Sequence, residues 1–208
     1  MRIKMFDYDI FEYFMKDFEK QLKGIVGESI IQLLLNSPQL GYRKILKNIY
    51  VPYGNKTTEI DVVMIHETGI YVIESKNYSG WIFGNEKQQQ WTQMLNSYTK
   101  KRFYNPVWQN RTHIRALSDY ASIEQSKIKS YIVFSDRCEL KAVPPNTDKC
   151  IITKIDSFFN VICNDINNRK KIFTVEEVNQ IEEKLKPITN VSQEVKNKHI
   201  QDIEKKKN

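Results

Sequence analysis

Residues 59–76 have the sequence EIDVVMIHETGIYVIESK, in which two runs rich in Val, Ile and Tyr flank Glu67-Thr68-Gly69. β-Branched and aromatic residues favour strands, and a Gly-containing break between two such runs is typical of a hairpin turn. The composition therefore predicts a β-hairpin. Two acidic residues, Asp61 and Glu74, lie inside the predicted strands, where carboxylates are uncommon.

The hairpin register determines which side chains face each other across the two strands. In a connection with an even number of residues, Ile65 faces Ile70. Counting back along both strands then places Asp61 directly opposite Glu74, with Cβ atoms about 4.5–5.5 Å apart. Gly69 is equally compatible with a three-residue loop and a bulge, which would shift the pairing by one residue.

The alternation of side chains along a strand places Lys76 on the face of Glu74, with Ser75 on the other face. Two carboxylates and an ammonium group are then expected to converge. At an effective dielectric of about 20, Asp61 and Glu74 would repel each other by on the order of 1 kcal/mol, and each would raise the pKa of the other. A divalent cation would offset this repulsion. The alternative is a salt bridge of Lys76 with Glu74 on a solvated sheet face.

Several blocks of sequence around this hairpin are familiar. Asp61, twelve intervening residues and Glu74-Ser75-Lys76 resemble the core of the PD-(D/E)xK nucleases, with Ile60 standing where that superfamily has Pro. The flanking blocks resemble the nuclease-related domain (NERD), in the same order along the chain: Gly27-Glu28, Gly80-Trp81, Trp91, and the segment from Asn105 to Ile114. The resemblance covers about residues 24–134.

The resemblance implies a role for each matching residue. Three groups would bind Mg²⁺ or Mn²⁺: the carboxylates of Asp61 and Glu74 and the backbone carbonyl of Ser75. Lys76 would orient the attacking water and stabilise charge that develops on the phosphate. Glu28 and Gln109 would complete the catalytic shell, although a glutamate near a helix start is also stabilised by the helix dipole alone.

The second half of the chain contains the candidates for nucleic-acid binding. Lys100, Lys101 and Arg102 precede two aromatic residues, a composition that suits phosphate contacts and base stacking; the alternative is a solvated loop. Asn105 followed by Pro predicts the start of a helix on which Gln109 and His113 project from one side. We expect Asn105 and His113 to contact the substrate, but a lone helical histidine is also commonly a packed residue.

The composition limits the classes of protein to consider. The chain has 208 residues, of which 40% are hydrophobic, enough for one substantial core with helical extensions. Its formal charge of +7 and pI near 9.1 suit a polyanionic partner. The three cysteines form no C-x-x-C pair, so we expect reduced thiols in a cytoplasm rather than zinc ligation or disulfides.

The N-terminal residues 1–23 are rich in aromatic side chains. Acidic residues interrupt every apolar run, which argues against a signal peptide and a membrane span. Ile10, Phe14, Phe18 and Leu22 recur every four residues and predict an amphipathic helix. Packing on its own domain is expected for this helix, and a homodimer contact or a membrane-surface contact is the alternative.

The remaining chain alternates helices and strands. Predicted strands are Tyr42–Val51, Trp81–Phe83, Lys129–Ser135 and Cys150–Ile152; predicted helices are Gly24–Leu35, a helix from Asn105, Ile155–Ile162 and Thr174–Leu185, the last with a capping box of Thr174 and Glu177. The alternation predicts the α/β class, with a mixed central β-sheet flanked by helices and a restriction-endonuclease-like core. We divide the chain into an N-terminal helix (1–23), a core (24–153) and C-terminal helices with a charged tail (154–208), solvated from Asn190 onward.

These features together predict a metal-dependent endonuclease that hydrolyses DNA in the cytoplasm, in a setting such as phage defence or DNA repair. RNA is not excluded as the substrate, and no membrane partner is expected. The partners to consider are DNA, a second copy of the chain and a protein that recruits the nuclease. The alternative function is a nucleic-acid-binding or scaffold protein built on a nuclease fold without turnover.

Overall fold

A computed structural model of the chain describes residues 27–204. The predicted helix over residues 1–23 lies outside the described residues. The strands are β1 (Arg43–Tyr53), β2 (Lys56–His66), β3 (Gly69–Lys76), β4 (Gly80–Phe83), β5 (Gln90–Met94), β6 (Lys100–Tyr104), β7 (Ile128–Phe134), β8 (Cys138–Ala142) and β9 (Cys150–Lys154). The α-helices are α1 (Gly27–Leu35), α2 (Pro106–Ala121), α3 (Ile155–Asn167), α4 (Val175–Leu185) and α5 (Gln193–Glu204), with 3₁₀ turns at Pro38–Leu40, Gln125–Lys127 and Lys186–Ile188.

The strands form two mixed sheets. The first sheet has the order β1-β2-β3-β7-β9, with β1, β2 and β3 antiparallel and β3, β7 and β9 parallel. The second sheet has the order β6-β5-β4-β8, and its β4 and β8 are parallel. The predicted mixed α/β class is therefore confirmed, and the architecture is consistent with a restriction-endonuclease-like fold.

The hairpin β2–β3 has the even-numbered connection. Ile65 pairs with Ile70 and His66 with Gly69, which leaves Glu67 and Thr68 as the turn. A Cβ atom on Gly69 would lie 3.1 Å from the carbonyl oxygen of Lys127, and the residue has φ +145°. The turn therefore favours glycine, and the register that pairs Ile65 with Ile70 is the observed one, in a ladder that ends at Val62 with Ile73.

Both faces of the first sheet are buried, which explains the nearly continuous apolar run of β2 and β3. One face packs against α2 and α4 through residues such as Val63, Val72, Leu117 and Val178. The other face packs against α1 and α3. Because α2 lies over the centre of the first sheet, any polar side chain on that face of β3 is enclosed between strand and helix.

Two segments differ from the predictions made on sequence. Lys100–Tyr104, predicted as a basic loop, is strand β6 and pairs with β5 along its whole length, from Gln90 with Tyr104 to Met94 with Lys100. The segment from Asn190 was predicted to be a solvated tail, but it contains helix α5, whose His199 is 8% exposed. Each segment is ordered by tertiary contacts that its polar composition does not indicate.

No helix in residues 27–204 is both long enough and apolar enough to cross a membrane.

Candidate active site

The candidate site lies at the carboxyl end of β3, where the buried strand becomes partly exposed. Glu74 is 2% exposed, whereas the following Ser75 and Lys76 are intermediate in burial. Strand alternation places Glu74 and Lys76 on the face covered by α2. A buried carboxylate needs compensating charge or hydrogen bonds, and the neighbouring helix supplies part of that compensation.

Helix α2 is positioned by its first residues. The Asn105 side chain accepts a hydrogen bond from the Val107 amide and caps the helix, and Pro106 occupies the first helical position, where its missing N–H is not needed. Gln109 and His113 follow one turn apart on the side of the helix that faces β3. The predicted helix start and the shared face of these two side chains are both observed.

The Glu74 carboxylate accepts hydrogen bonds from three side chains. Lys76 Nζ donates to Oε1 at 2.6 Å, and Gln109 Nε2 donates to the same oxygen at 2.7 Å. Gln109 Oε1 in turn accepts from Lys76 Nζ at 2.9 Å. His113 Nε2 lies 3.1 Å from Glu74 Oε2, so both carboxylate oxygens are bonded to protein side chains.

In this network, ion pairing and hydrogen bonding affect the pKa values of Glu74 and Lys76 more than burial does. Burial alone would raise the pKa of Glu74, but the hydrogen bond from His113 and the charge of Lys76 together hold it below its ordinary value. Burial alone would lower the pKa of Lys76, but the charge and hydrogen bond of Glu74 hold it above its ordinary value, with a smaller contribution from Asp61. The pair is therefore an ammonium and a carboxylate at neutral pH. The net pKa of Glu74 is therefore lowered, not raised as repulsion from Asp61 alone would make it, because the His113 hydrogen bond and the Lys76 charge stabilise the carboxylate.

Asp61 lies at an irregular point of the first sheet. The pairing of β1 with β2 skips Asn48 and Asp61, and Asn48 has a left-handed φ of 48°. The β2–β3 ladder also stops at the preceding pair, Val62 with Ile73. In place of a further ladder bond, Asp61 Oδ2 accepts a hydrogen bond from the Ser75 amide at 2.8 Å. This bond holds the Asp61 carboxylate against the backbone of β3.

The two remaining predicted site residues are Glu28 and Ser75. Glu28 is the second described residue of α1, and its side chain lies outside the described part of the chain. Ser75 contributes its amide to Asp61. Within residues 27–204, no cluster of three or more His, Cys, Asp or Glu side chains is arranged to hold a metal ion. At the candidate site, β2 and β3 offer the carboxylate oxygens of Asp61 and Glu74 together with backbone carbonyls.

Comparison with known proteins identifies the family. The Nuclease-related domain (NERD) family matches residues 23–135, more than half of the chain. The chain belongs to the NERD family. An uncharacterized protein of Bacillus anthracis is 39% identical over 123 residues, which are 58% of this chain and 57% of that protein. No solved structure matches the chain significantly. The match ends in the Phe134–Ser135 region, so it includes β1 to β7 with α2 and every residue of the network around Glu74.

Asn105 has a structural role in this NERD protein. Its side chain is fully buried, and besides capping α2 it donates hydrogen bonds to the carbonyl oxygens of Asn85 and Gln88. These bonds tie the loop before β5 to the start of α2. The predicted contact of Asn105 with nucleic acid is therefore not supported, because no part of the side chain is exposed to reach a phosphate.

His113 is also buried, with 3% of its surface exposed. It bridges Glu74 to Thr58, whose Oγ1 lies 2.8 Å from His113 Nδ1. A neutral ring that donates from Nε2 to Glu74 would accept from the Thr58 hydroxyl through Nδ1. The arrangement gives His113 the role of holding Glu74, rather than the predicted contact with substrate. Thr58 was not predicted, because a single threonine on a strand carries no sequence signal for a contact with a helix 55 residues away.

The three basic residues of β6 are all exposed, but they do not share a face. Lys101 lies on the same face of the strand as Phe103, which packs inward against Trp91 and Tyr78. Lys100 and Arg102 lie on the opposite face, which is turned to solvent. The structure therefore brings two of the three predicted phosphate contacts together and separates the third.

Proposed function

We propose that this NERD protein is a metal-dependent nuclease that hydrolyses the phosphodiester bonds of DNA. The observation that carries the proposal is the position of Lys76, whose ammonium group is bonded to Glu74 and Gln109 beside Asp61 and has a side chain 14% exposed. Membership of a nuclease-related family supports the reaction class. DNA as the substrate, the cytoplasmic location and a role in phage defence or repair remain predictions.

The donor set is suited to a hard divalent cation. Magnesium commonly binds one or two carboxylates and completes its shell with waters and substrate phosphates. Asp61 and Glu74 would hold it, with the backbone carbonyl of Ser75 as a further ligand. A carboxylate has about four lone-pair sites, and Glu74 uses three of them for Lys76, Gln109 and His113. When bound, Mg²⁺ or Mn²⁺ would lower the pKa of a water ligand and polarise the phosphoryl oxygens.

The side chains around Glu74 then have distinct tasks. Lys76 remains protonated because its pKa is raised, so it acts as a cation that stabilises charge developing on the phosphate rather than as a base. Gln109 fixes the Lys76 ammonium through its carbonyl oxygen. His113, itself held by Thr58, fixes the second oxygen of Glu74. A network with few free rotations keeps these groups in place for the reaction, which is the condition for electrostatic stabilisation.

A second candidate function is nucleic-acid binding without turnover on the same fold. The observation that favours it is that the Glu74 carboxylate is already stabilised by the Lys76 ammonium and by hydrogen bonds from Gln109 and His113. A site that is complete without a cation would also suit a protein that has lost catalysis. The two functions differ in one outcome, metal-dependent cleavage.

The test is incubation of the protein with supercoiled plasmid, linear duplex and single strand, each with magnesium, manganese or EDTA. We expect cutting with either metal and none with EDTA. Lys76→Met, which keeps the length of the side chain and removes its charge, should lower the rate by at least ~100-fold. Lys101→Met, at an exposed position of β6, is the matched control and should cleave like the wild type. Absence of metal-dependent cutting on all three substrates would favour the second function.

A further inference from the structure

The second sheet turns one face to solvent. The alternation of side chains buries Ile82, Trp91 and Phe103 on its inner face, where they pack against β7 and β9. On the opposite face, which we call the outer face, Trp81 is 44% exposed and Tyr104 is 47% exposed. Tyr104 also contacts the Trp108 ring, at 6.4 Å between centroids, and the exposed parts of the Trp81 and Tyr104 rings are accessible to a ligand.

Cations lie between these aromatic rings on the outer face. The strand register aligns Lys100 with Met94 and Met94 with Trp81, so these three form one row across the sheet. The next row contains Arg102, which pairs with Thr92. All the outer-face cations on β6 are exposed.

The strand β8 adds a further cation to the Trp81 end of this face. Lys141 Nζ lies 5.4 Å from the centroid of the Trp81 ring, within cation–π range. Glu139 also lies on this strand and bonds Lys141 at 2.5 Å. The cations Lys100, Arg102 and Lys141 therefore outnumber the one neighbouring carboxylate on β8.

We propose that the outer face binds a single-stranded segment of nucleic acid, with bases stacked on Trp81 and Tyr104 and phosphates held by Lys100 and Arg102. Aromatic side chains combined with a basic surface are the features by which proteins bind single strands without sequence preference. In a duplex the faces of the bases are covered by their neighbours, and only base edges are open in the grooves. Exposed rings on a sheet face are therefore complementary to a single strand and not to a duplex.

The strand that carries Trp81 follows the candidate active site directly along the chain. Only Asn77, Tyr78 and Ser79 separate Lys76 from β4. The connection is anchored, because the Tyr78 ring packs on Phe103 at 4.4 Å between centroids, and Asn77 Oδ1 accepts a hydrogen bond from Arg137. The consequence rests on the proposed nuclease function: the substrate would carry a single-stranded segment next to the bond that is cut.

The test measures binding in EDTA, so that it does not depend on cleavage. The full chain is titrated against a labelled single-stranded oligonucleotide of mixed sequence and against the same sequence as a blunt duplex. We expect Trp81→Ala to weaken single-strand binding by about tenfold, the order found when one stacked aromatic is removed, and Trp81→Phe to retain most of the affinity. Duplex binding should change much less in both variants. Each variant is checked for an unchanged melting temperature.

The charged residues give a second measurement with a matched control. Replacing Lys100 and Arg102 with Gln should reduce the slope of log affinity against log salt by about 0.7 for each lost phosphate contact on a single strand. Lys101→Gln removes the same charge from the other face of β6 and should leave the slope nearly unchanged.

The inference would be overturned if Trp81→Ala bound the single strand as tightly as the wild type, or if it lost equal affinity for single strand and duplex. It would also be overturned if Lys101→Gln changed the salt slope as much as the replacement of Lys100 and Arg102. Self-association that Trp81→Ala abolishes, with oligonucleotide binding intact, would likewise assign the face to a second copy of the chain. Failure of the nuclease function is distinguishable, because it is seen as absent metal-dependent cutting in a protein that still binds the single strand.

Discussion

Glu74 is nearly inaccessible to solvent, and its charge depends on the side chains that surround it. Lys76, Gln109 and His113 all donate to it. Repulsion between Asp61 and Glu74, expected from the sequence, would make the loss of one charge stabilising. The lowered pKa of Glu74 reverses that sign, because the His113 hydrogen bond and the Lys76 charge stabilise the carboxylate.

We therefore predict that Glu74→Gln destabilises the metal-free protein. The substitution leaves the Lys76 ammonium without its anionic partner in a largely enclosed site, and breaking a buried pair typically costs about 3–5 kcal/mol. The free energy of unfolding should be measured by denaturant titration in EDTA. Glu139→Gln, which breaks an exposed pair with Lys141, is the control and should change stability by less than about 1 kcal/mol. A Glu74→Gln protein as stable as the wild type would restore the repulsion argument.

At the scale of residues, the sequence predicted which side chains share a face within a single strand or helix. The two-residue period of β3 placed Lys76 beside Glu74, and the helical spacing placed Gln109 and His113 on one side of α2. The partner of His113 was not predictable, because Thr58 reaches it only through the tertiary packing of β2 under the helix. The irregularity at Asn48 likewise depends on how β1 crosses β2, and no local pattern indicates it.

The elements that sequence analysis missed have in common a small apolar content. In β6, Phe103 is the one apolar residue on the inward face, and β8 buries Cys138 and half-buries Leu140. Such strands are stabilised by their neighbours in the second sheet rather than by an alternating apolar pattern of their own. The same is true of α5, whose polar sequence gave no sign that a histidine would anchor it.

Helix α5 is held to the first sheet chiefly through His199. Its Nδ1 lies 3.0 Å from the carbonyl oxygen of Thr57, and its ring meets Tyr50 edge-on at 5.6 Å between centroids. We predict that His199→Ala lowers the free energy of unfolding by about 1–3 kcal/mol, the sum of a typical hydrogen bond and an aromatic pair. Hydrogen exchange should also become faster in α5. Lys198→Ala, at the exposed neighbouring position, is the control; an equal effect of the two substitutions would mean that α5 is not anchored at His199.

Helix α3 is attached to the first sheet through the charged side chain of Asp165. It accepts hydrogen bonds from Lys129 and from the Tyr131 hydroxyl of β7, and from Arg169 Nε at 3.0 Å. Burial alone would raise the pKa of Asp165, but the hydrogen bonds, that from Lys129 first, hold it below the ordinary value. The native state thus binds its proton less readily than the unfolded chain does.

The lowered pKa of Asp165 predicts how the stability of the protein depends on pH. A lowered native pKa contributes stability that is fully present above the unfolded value, about 3.9 for aspartate, and that is lost as the pH falls through the native pKa. Asp165→Asn should therefore be clearly less stable than the wild type at neutral pH, and the difference should shrink as the pH falls below about 4. Denaturant titrations of both proteins across this range provide the measurement. A difference that stays constant with pH would show that the Asp165 charge is not responsible.

On the scale of the whole molecule, α2 connects the two sheets. Its cap, Asn105, follows directly on β6 of the second sheet, and the body of the helix covers the first sheet, where Gln109 and His113 meet Glu74. The sequence predicted one mixed sheet and could not show the division into two, because strand order is set by long-range pairing. The division separates the enclosed network around Glu74 from the open, basic outer face.

A cation held at the candidate site would stabilise the whole fold by mass action, because a ligand that binds only the native state adds about 2.7 kcal/mol at a hundred times its dissociation constant. Asp61→Asn tests this most cleanly. Asparagine can still accept the hydrogen bond from the Ser75 amide that Asp61 accepts, so the metal-free stability should change little. Glu74→Gln lacks this advantage, since it also disturbs the pairing with Lys76.

The measurement is the melting temperature of wild type and Asp61→Asn across titrations of magnesium and manganese at fixed ionic strength. We expect the wild type to gain about 2–4 °C for each kcal/mol of binding energy and the variant to gain much less, since a carboxylate ligand is lost. Asp156→Asn, which removes a half-exposed carboxylate near the start of α3, should behave like the wild type. Equal shifts in wild type and Asp61→Asn would mean that Asp61 is no ligand. The metal-dependent mechanism would then have to be abandoned in favour of binding without turnover.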